Sequence, residues 1–366
     1  MSAKAFPDIH PEQRLLIDGQ LVAAASGNTY NNINPADNSV AGVCADAGVE
    51  DMERAIAAAR RAFDETDWST NHTFRAKCLK QLRDAMKAHA DELRYQMVAE
   101  IGCPLGLTYG PQTDLPISFM DWTIDFMEHY EWERELPTVN VVGVPSKRLV
   151  WKEAAGVVAA ITPWNFPLQI NLAKVIPALA AGCTVILKPA PDTPWTATFI
   201  GKMVAEHTDI PAGVFNVVTS ENPAVLGDML TGDPRVDVVS FTGSTGIGKH
   251  IMKRGADTVK KVFLELGGKS AHIILDDADI NFAAFMCISV CFNAGQGCAL
   301  ATRLLAPRSH YEKIVEVAKN TFDSVKLGDP LSREQFMGPL VNKRQQQRVL
   351  QYIQQGKAEG ARLVCE

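Results

Sequence analysis

From residue 156 to residue 266 the chain alternates five short apolar runs with four amphipathic ones, and this rhythm constrains its fold more than any other feature. The apolar runs are Gly156-Val157-Val158-Ala159-Ala160-Ile161, Cys183-Thr184-Val185-Ile186-Leu187 and the segments 214–218, 236–241 and 261–266. A run that is apolar throughout must be covered on both faces, as the strands of a parallel sheet are. Helical patterns near 168–181, 194–207, 223–231 and 246–255 supply the covers, the first closed by Gly182, which suits the left-handed turn after a helix. Strand and helix in strict succession predict an α/β fold with a doubly wound, parallel, Rossmann-like sheet. Such sheets bind nucleotides at the carboxyl ends of their strands.

The flanking segments follow other patterns. Leu15-Leu16-Ile17-Asp18-Gly19-Gln20-Leu21-Val22 reads as a hairpin turned by Asp18-Gly19. Met52, Ile56, Ala59 and Phe63 share one helical face, as do Leu79, Leu82 and Met86, and both stripes read as core. Residues 139–151 are valine-rich and strand-like on either side of a Pro145-Ser146 turn. After Gly267-Gly268 a second βα series begins with strand His272-Ile273-Ile274-Leu275, a helix over 279–293 and strand Arg303-Leu304-Leu305. Helices near 310–323 and 342–358 follow, and Leu363-Val364-Cys365-Glu366 reads as the start of another strand, where a domain rarely ends. The expected organisation is a domain over 1–266 and a second, incomplete α/β domain over 267–366.

With 366 residues, 46% of them hydrophobic, the chain has material for two cores. Its net charge is −6, and Lys and Arg are scattered through helical segments, which argues against nucleic acid as a partner. The first ten residues lack an apolar signal region, and no stretch approaches the roughly 20 apolar residues that cross a bilayer. Eight cysteines, none in a C-x-x-C pair, fit reduced thiols in a cytoplasm and neither a disulfide framework nor a metal site. A soluble cytoplasmic protein is expected.

Two residues suggest covalent chemistry on a carbonyl. Cys298 stands in the glycine-flanked run Asn293-Ala294-Gly295-Gln296-Gly297-Cys298, where a thiol can be an exposed nucleophile, unlike Cys287 and Cys291 in the apolar run before it. Glu265 ends the apolar run Val262-Phe263-Leu264, where burying a carboxylate without purpose or partner would be costly. The loop from Phe241 to His250 has three readings. It is a near-match to a P-loop with His250 in place of the magnesium-holding Ser or Thr, a weak Rossmann fingerprint with Glu265 as its ribose acid, or a plain helix-capping turn. Thr162-Pro163-Trp164-Asn165-Phe166-Pro167 displays, between two stiffening prolines, an amide able to donate to an oxyanion. Lys188 ends another run and reads either as a nucleotide contact or as a solvated lysine. The aromatic residues and methionines of Ser118 to Met127 read as helix core or as a substrate tunnel.

Taken together, Pro163-Trp164-Asn165-Phe166-Pro167, Lys188-Pro189-Ala190, Phe241-Thr242-Gly243-Ser244-Thr245, Glu265-Leu266-Gly267-Gly268-Lys269-Ser270 and Gly295-Gln296-Gly297-Cys298 resemble the aldehyde dehydrogenase superfamily in order and spacing. The resemblance runs from the Asp18-Gly19 hairpin to Met337-Gly338-Pro339-Leu340. It implies that Cys298 attacks an aldehyde, that Asn165 and the Cys298 N–H hold the oxyanion, and that Glu265 activates the water that hydrolyses the thioester. It also implies that Lys188 meets the adenosine ribose of NAD, Gly243 and Ser244 the pyrophosphate, Thr162, Pro163 and Trp164 the cofactor wall, and Leu266 the nicotinamide region.

Three departures qualify the resemblance. Pro191, with Asp192 beside it, stands where the family commonly has an acidic ribose ligand, so NAD is expected with NADP as the alternative. The loop Thr219-Ser220-Glu221-Asn222-Pro223 lacks the glycines that many members carry. Judged by length, roughly a quarter of a family chain is absent beyond Glu366, including the E-x-F-G-P motif and the strand that completes an intersubunit sheet with the 139–151 hairpin. A homodimer or homotetramer is expected where that segment is present. Two alternatives stay open: a member that passes its thioester to coenzyme A, and a truncated, catalytically inactive nucleotide-binding protein.

Overall fold

A computed structural model of the chain describes residues 9–365. Strands β1 (Leu15–Ile17) and β2 (Gln20–Val22) form the first hairpin, turned by Asp18 at φ 53° and Gly19 at φ 75°. Strands β3 (Thr29–Ile33) and β4 (Val40–Ala45) form a second. Helices α1 (Val49–Glu65), α2 (His72–Ala88), α3 (Ala90–Ile101), α4 (Leu105–Thr108) and α5 (Asp114–Glu128) lead to the antiparallel ribbon of β5 (Glu133–Val141) and β6 (Val144–Trp151). The βα series follows as β7 (Val157–Ile161), α6 (Pro167–Ala180), β8 (Thr184–Lys188), α7 (Trp195–His207), β9 (Phe215–Val217), α8 (Pro223–Gly232), β10 (Val238–Gly243), α9 (Thr245–Ala256) and β11 (Lys261–Leu266). Beyond it lie β12 (Ala271–Ile273), α10 (Ile280–Phe285), β13 (Arg303–Leu305), α11 (Tyr311–Asp323) and α12 (Lys343–Ala358).

The central sheet has seven strands in the order β11-β10-β7-β8-β9-β1-β2, with β7 to β11 parallel and the first hairpin added antiparallel to β9. Alternation along each strand divides its side chains between two cores. Val158 and Ala160 face the cluster built with α2, α5, α6 and α7, whereas Val157 and Ala159 face the cluster built with α1, α8 and α9. This is why the inner strands are apolar along most of their length: both faces exclude water. Met52, Ile56 and Ala59 pack in one cluster and Leu79, Leu82 and Met86 in the other, as their spacing predicts.

Some segments differ from the sequence reading. The β5–β6 turn lies at Val142 and Gly143, with φ of 50° and 80°, not at Pro145-Ser146. Proline cannot supply the positive φ that a two-residue hairpin turn needs, and Pro145 instead pairs with Asn140 inside the ribbon. The helix expected over 279–293 ends at Phe285 and continues as a 3₁₀ segment, Met286–Gly295, which breaks at Phe292, Asn293 and Ala294. Residues 361–365 carry no strand, and Glu366 lies outside the described residues, as does most of the first ten-residue segment. The 118–127 segment is split by its helix: Met120, Ile124 and Met127 are buried, whereas Phe119, Trp122 and Phe126 are exposed. After Gly267, β12 and β13 form a separate parallel pair over a small core of Ile274, Ala284 and Ile314.

Val142 is 98% exposed in a left-handed conformation that a β-branched residue adopts at a cost of about 1 kcal/mol or more. Val142→Asn restores the favoured Asn-Gly turn and should slow amide exchange across β5 and β6 roughly five-fold. Hydrogen-exchange mass spectrometry reads this directly, and unchanged or faster exchange contradicts the assigned turn.

Candidate functional site

Strand order reverses between β7 and β10: from β7 the chain moves to β8 and β9 on one side, then returns to β10 and β11 on the other. Crossovers from these neighbours leave in opposite directions, so a crevice opens at their carboxyl ends. Thr162, Pro163, Trp164 and Asn165 follow β7 on that edge, Lys188 ends β8, Gly243 and Ser244 end β10, and Glu265 and Leu266 end β11 in register with Thr242 and Gly243. These sequence-selected positions therefore share one edge of one sheet.

The β10–α9 connection is a direct strand-to-helix turn. Ser244 caps α9, its Oγ accepting from the Ile247 N–H at 3.4 Å, and Gly246, Gly248 and Lys249 all lie within the helix. A P-loop needs those residues wrapped ahead of the helix, so that reading fails. Gly248 has a packing reason instead: a Cβ there would meet Leu266 Cδ2 at 2.8 Å. The side chain of Leu266 thus lies against α9. What the turn offers a ligand is the exposed N-terminus of a twelve-residue helix.

Lys188 is not solvated. It is 2% exposed, burial lowers its pKa to about 8, and among the described residues Nζ donates only to the Pro189 carbonyl, at 3.5 Å. Glu265 differs from its sequence reading in the opposite sense, because β11 is an edge strand with one packed face. Val262, Leu264 and Leu266 take that face, leaving Lys261, Phe263 and Glu265 exposed. Lys174 of α6 is close enough to Glu265 to feel its charge; burial lowers the lysine pKa to about 8 and the carboxylate opposes the shift. Its Nζ donates to Ser240 Oγ at 2.9 Å.

Cys298 is half-buried on the loop that follows the broken 3₁₀ segment. Two connections tie this loop to the end of β11: Lys269 Nζ donates to the Gly297 carbonyl at 3.1 Å, and Ser270 N–H to the Leu300 carbonyl at 3.0 Å. A third reaches the post-β7 loop, where Asn165 Nδ2 donates to the Gln296 carbonyl at 2.9 Å. The Asn165 carbonyl in turn accepts from Asn293 Nδ2 at 2.8 Å and from Gln112 Nε2 at 3.2 Å. The structure therefore brings the Asn165, Glu265 and Cys298 loops together.

Sequence reasoning missed Lys174, Gln112, Asn293 and Gln296. Lys174 had a signal, a single charge in the apolar run of α6, and Asn293 and Gln296 sit in the thiol loop itself. Gln112, in the α4–α5 connection, had none. The eight cysteines are free thiols, and among the described residues no His, Cys, Asp and Glu cluster suits a metal.

A doubly wound sheet whose switch-point loop is bonded to a thiol loop from a second α/β unit defines an α/β protein of the dinucleotide-binding architecture with a thiol-bearing appendage. Comparison narrows this class. The sequence profile of the aldehyde dehydrogenase family matches residues 21–366. A 3-succinoylsemialdehyde-pyridine dehydrogenase of Pseudomonas sp is 39% identical over 352 residues, which are 95% of this chain and 71% of that protein. The succinate-semialdehyde dehydrogenase [NADP(+)] GabD of Escherichia coli (strain K12) is 36% identical over 96% of this chain and 72% of its own length. Among solved structures, a mutant of aldehyde dehydrogenase C of Pseudomonas syringae, complexed with NAD+ and octanal, superposes with a TM-score of 0.90 at 33% identity, covering 98% of this chain and 72% of that one. The betaine aldehyde dehydrogenase of Staphylococcus aureus with NAD+ gives 0.91 at 34% identity, covering 97% and 69%. The chain belongs to the aldehyde dehydrogenase family.

Lys188 makes stability depend on pH. Between about pH 8 and 10.5 the unfolded chain keeps a proton at this residue that the folded chain has released, so the contribution of Lys188 to stability rises with pH across that window and is lost as pH falls toward 8. Lys188→Met removes the buried charge. It should make the ligand-free protein more stable at neutral pH and flatten the slope above pH 8, with Lys174 keeping part of it. Urea titrations at neutral pH and near pH 9.5 measure both, and a variant less stable at neutral pH contradicts this account.

Proposed function

We propose that this protein oxidises an aldehyde to a carboxylic acid with NAD(P)+ through a thioester on Cys298. The observation that carries the reading is the bond from Asn165 to the carbonyl of Gln296, two residues before the thiol, at the switch point of the sheet. Residues 1–266 are the cofactor domain in this reading and 267–366 the catalytic one. The ribbon around 139–151, whose Val141, Val144 and Trp151 are exposed, joins copies of the chain into a homodimer or homotetramer, and eight free thiols suit work in the cytoplasm.

The cofactor site fits its group. A buried ammonium with one long hydrogen bond suits ribose hydroxyls, and the N-terminus of α9 beside Gly243 and Ser244 suits a pyrophosphate. Thr162, Pro163 and Trp164 form the wall at the end of β7, and Leu266 lends its backbone beside the nicotinamide. Pro191 itself does not repel a 2′-phosphate, whereas Asp192 beside it carries an acid, so NAD is favoured and NADP is the alternative.

The Cys298 thiolate adds to the aldehyde carbon, and the carbonyl π pair moves to oxygen, giving a thiohemiacetal alkoxide. Asn165 Nδ2–H and the Cys298 N–H donate to that oxygen, an effect worth about 3–4 kcal/mol per donor. NAD(P)+, when bound, supplies the acceptor for the hydride leaving the same carbon. As the alkoxide pair re-forms the carbonyl, Cys298 is left as a thioester. Glu265 then takes a proton from water as the water oxygen adds to the thioester carbon, and the thiolate leaves with the sulfur–carbon pair. The exposure of Glu265 gives it access to that water.

Cys298→Ala should abolish reduced-cofactor formation while cofactor affinity stays within two-fold. Glu265→Gln should keep a burst of one reduced cofactor per site and slow steady turnover roughly 10²-fold or more. Stopped-flow absorbance with a panel of short, long and aromatic aldehydes measures both. Cofactor binding without any burst in the unsubstituted protein would sink the proposal. Turnover that depends on added coenzyme A would replace hydrolysis by acyl transfer.

A further inference from the structure

We infer that Asn293 is a positioning residue for acylation: it holds the main chain from which the Asn165 amide projects and is not itself in contact with substrate. Three residues form a closed ring. Asn293 Nδ2 donates to the Asn165 main-chain carbonyl at 2.8 Å, Asn165 Nδ2 donates to the Gln296 main-chain carbonyl at 2.9 Å, and the Gln296 N–H and Nε2 both donate to the Asn293 main-chain carbonyl at 3.0 Å. The ring is anchored from two further directions. Gln112 Nε2 takes the second lone pair of the Asn165 carbonyl at 3.2 Å, and Val341 N–H donates to Gln296 Oε1 at 2.9 Å.

The arrangement has a chemical consequence. A carboxamide nitrogen carries two hydrogens, and in Asn165 one is committed to the Gln296 carbonyl. The other has no partner among the described residues, on a side chain bonded to the loop that carries the thiol. Oxyanion stabilisation depends on donors fixed before charge develops, so whatever fixes the main chain that carries this amide acts on the rate. Asn293 does so at a backbone cost. It is 2% exposed with φ +49°, in the left-handed region, and is followed by Ala294 at φ +56°. A residue needed only for the turn would be served by glycine, whereas asparagine tolerates the conformation and supplies the side-chain donor.

The inference rests on the acyl-transfer reading, and its test survives failure of the dehydrogenase part. Asn293→Gly keeps the turn and removes the donor; Asn293→Asp keeps the shape and turns an acceptor toward the Asn165 carbonyl. Both should lower the rate constant of the aldehyde-dependent burst roughly ten-fold or more. They should equally slow release of p-nitrophenol from p-nitrophenyl acetate, which acylates the thiol through an oxyanion without a cofactor. Alkylation of Cys298 by iodoacetamide passes through no oxyanion and should stay within two-fold, as should cofactor affinity. In an Asn165→Ala background the Asn293→Gly effect on p-nitrophenol release should shrink below two-fold, because the group being positioned is gone. A burst and ester acylation within two-fold of the unsubstituted protein, effects that multiply in the double variant, or alkylation slowed in parallel would each overturn the assignment. Absence of the burst with normal ester acylation would instead count against the dehydrogenase reading alone.

Discussion

The parting of crossovers between β7 and β10 is the constraint on which the rest of this structure depends. Two adjacent parallel strands send their chains to opposite faces of the sheet, so no helix can close over their carboxyl ends. Into that gap the post-β7 loop presents Asn165, and against it the second unit lays the thiol loop. Removing the reversal would remove the crevice, and the Asn165 and Cys298 loops would have no shared surface.

Buried polar groups hold the scaffold around the gap. The Glu100 carboxylate, fully enclosed, accepts from the first two amides of α7, Trp195 at 2.9 Å and Thr196 at 3.1 Å, and from the Thr196 hydroxyl. Burial raises its pKa to about 7, and these donors oppose that rise. The Arg75 guanidinium donates to the Trp68 and Ala180 carbonyls, tying the end of α6 to the first turns of α2, and burial pulls its pKa down to about 10. Among the described residues the second unit has no comparable frame. Its core is small, and Ile273, Leu275, Phe282 and Leu305 are exposed, so its loops gain their order largely from contacts with the first unit.

Much of the fold was legible in the chain because its evidence is local. Strands apolar on both faces, helices of regular period and the Asp18-Gly19 turn each depend on residues a few positions apart. The readings that failed depended on what a residue meets across space. Glu265 follows three apolar residues and reads as buried, yet its strand is an edge. Of the two readings of Lys188 the solvated one fails, because the sheet and helices enclose it. Pro145 resembles a turn residue until the register with Asn140 shows it inside the ribbon. The helical period from 279 onward says nothing of the break at Asn293, because that break is maintained by a hydrogen bond to Asn165, 128 positions earlier.

By itself the sequence determined the alternation of strand and helix, the parallel sheet that alternation requires, and the five segments that identify the family, since period, capping and motif are written in neighbouring residues. Tertiary structure alone decided which strand ends face each other, which charges lose their water and which amide holds Asn165, because these follow from strand order and from contacts between residues far apart in the chain. The thiol was visible from the start. Asn165 and the residues bonded to it joined the thiol loop in one site only when the sheet reversed its order between β7 and β10.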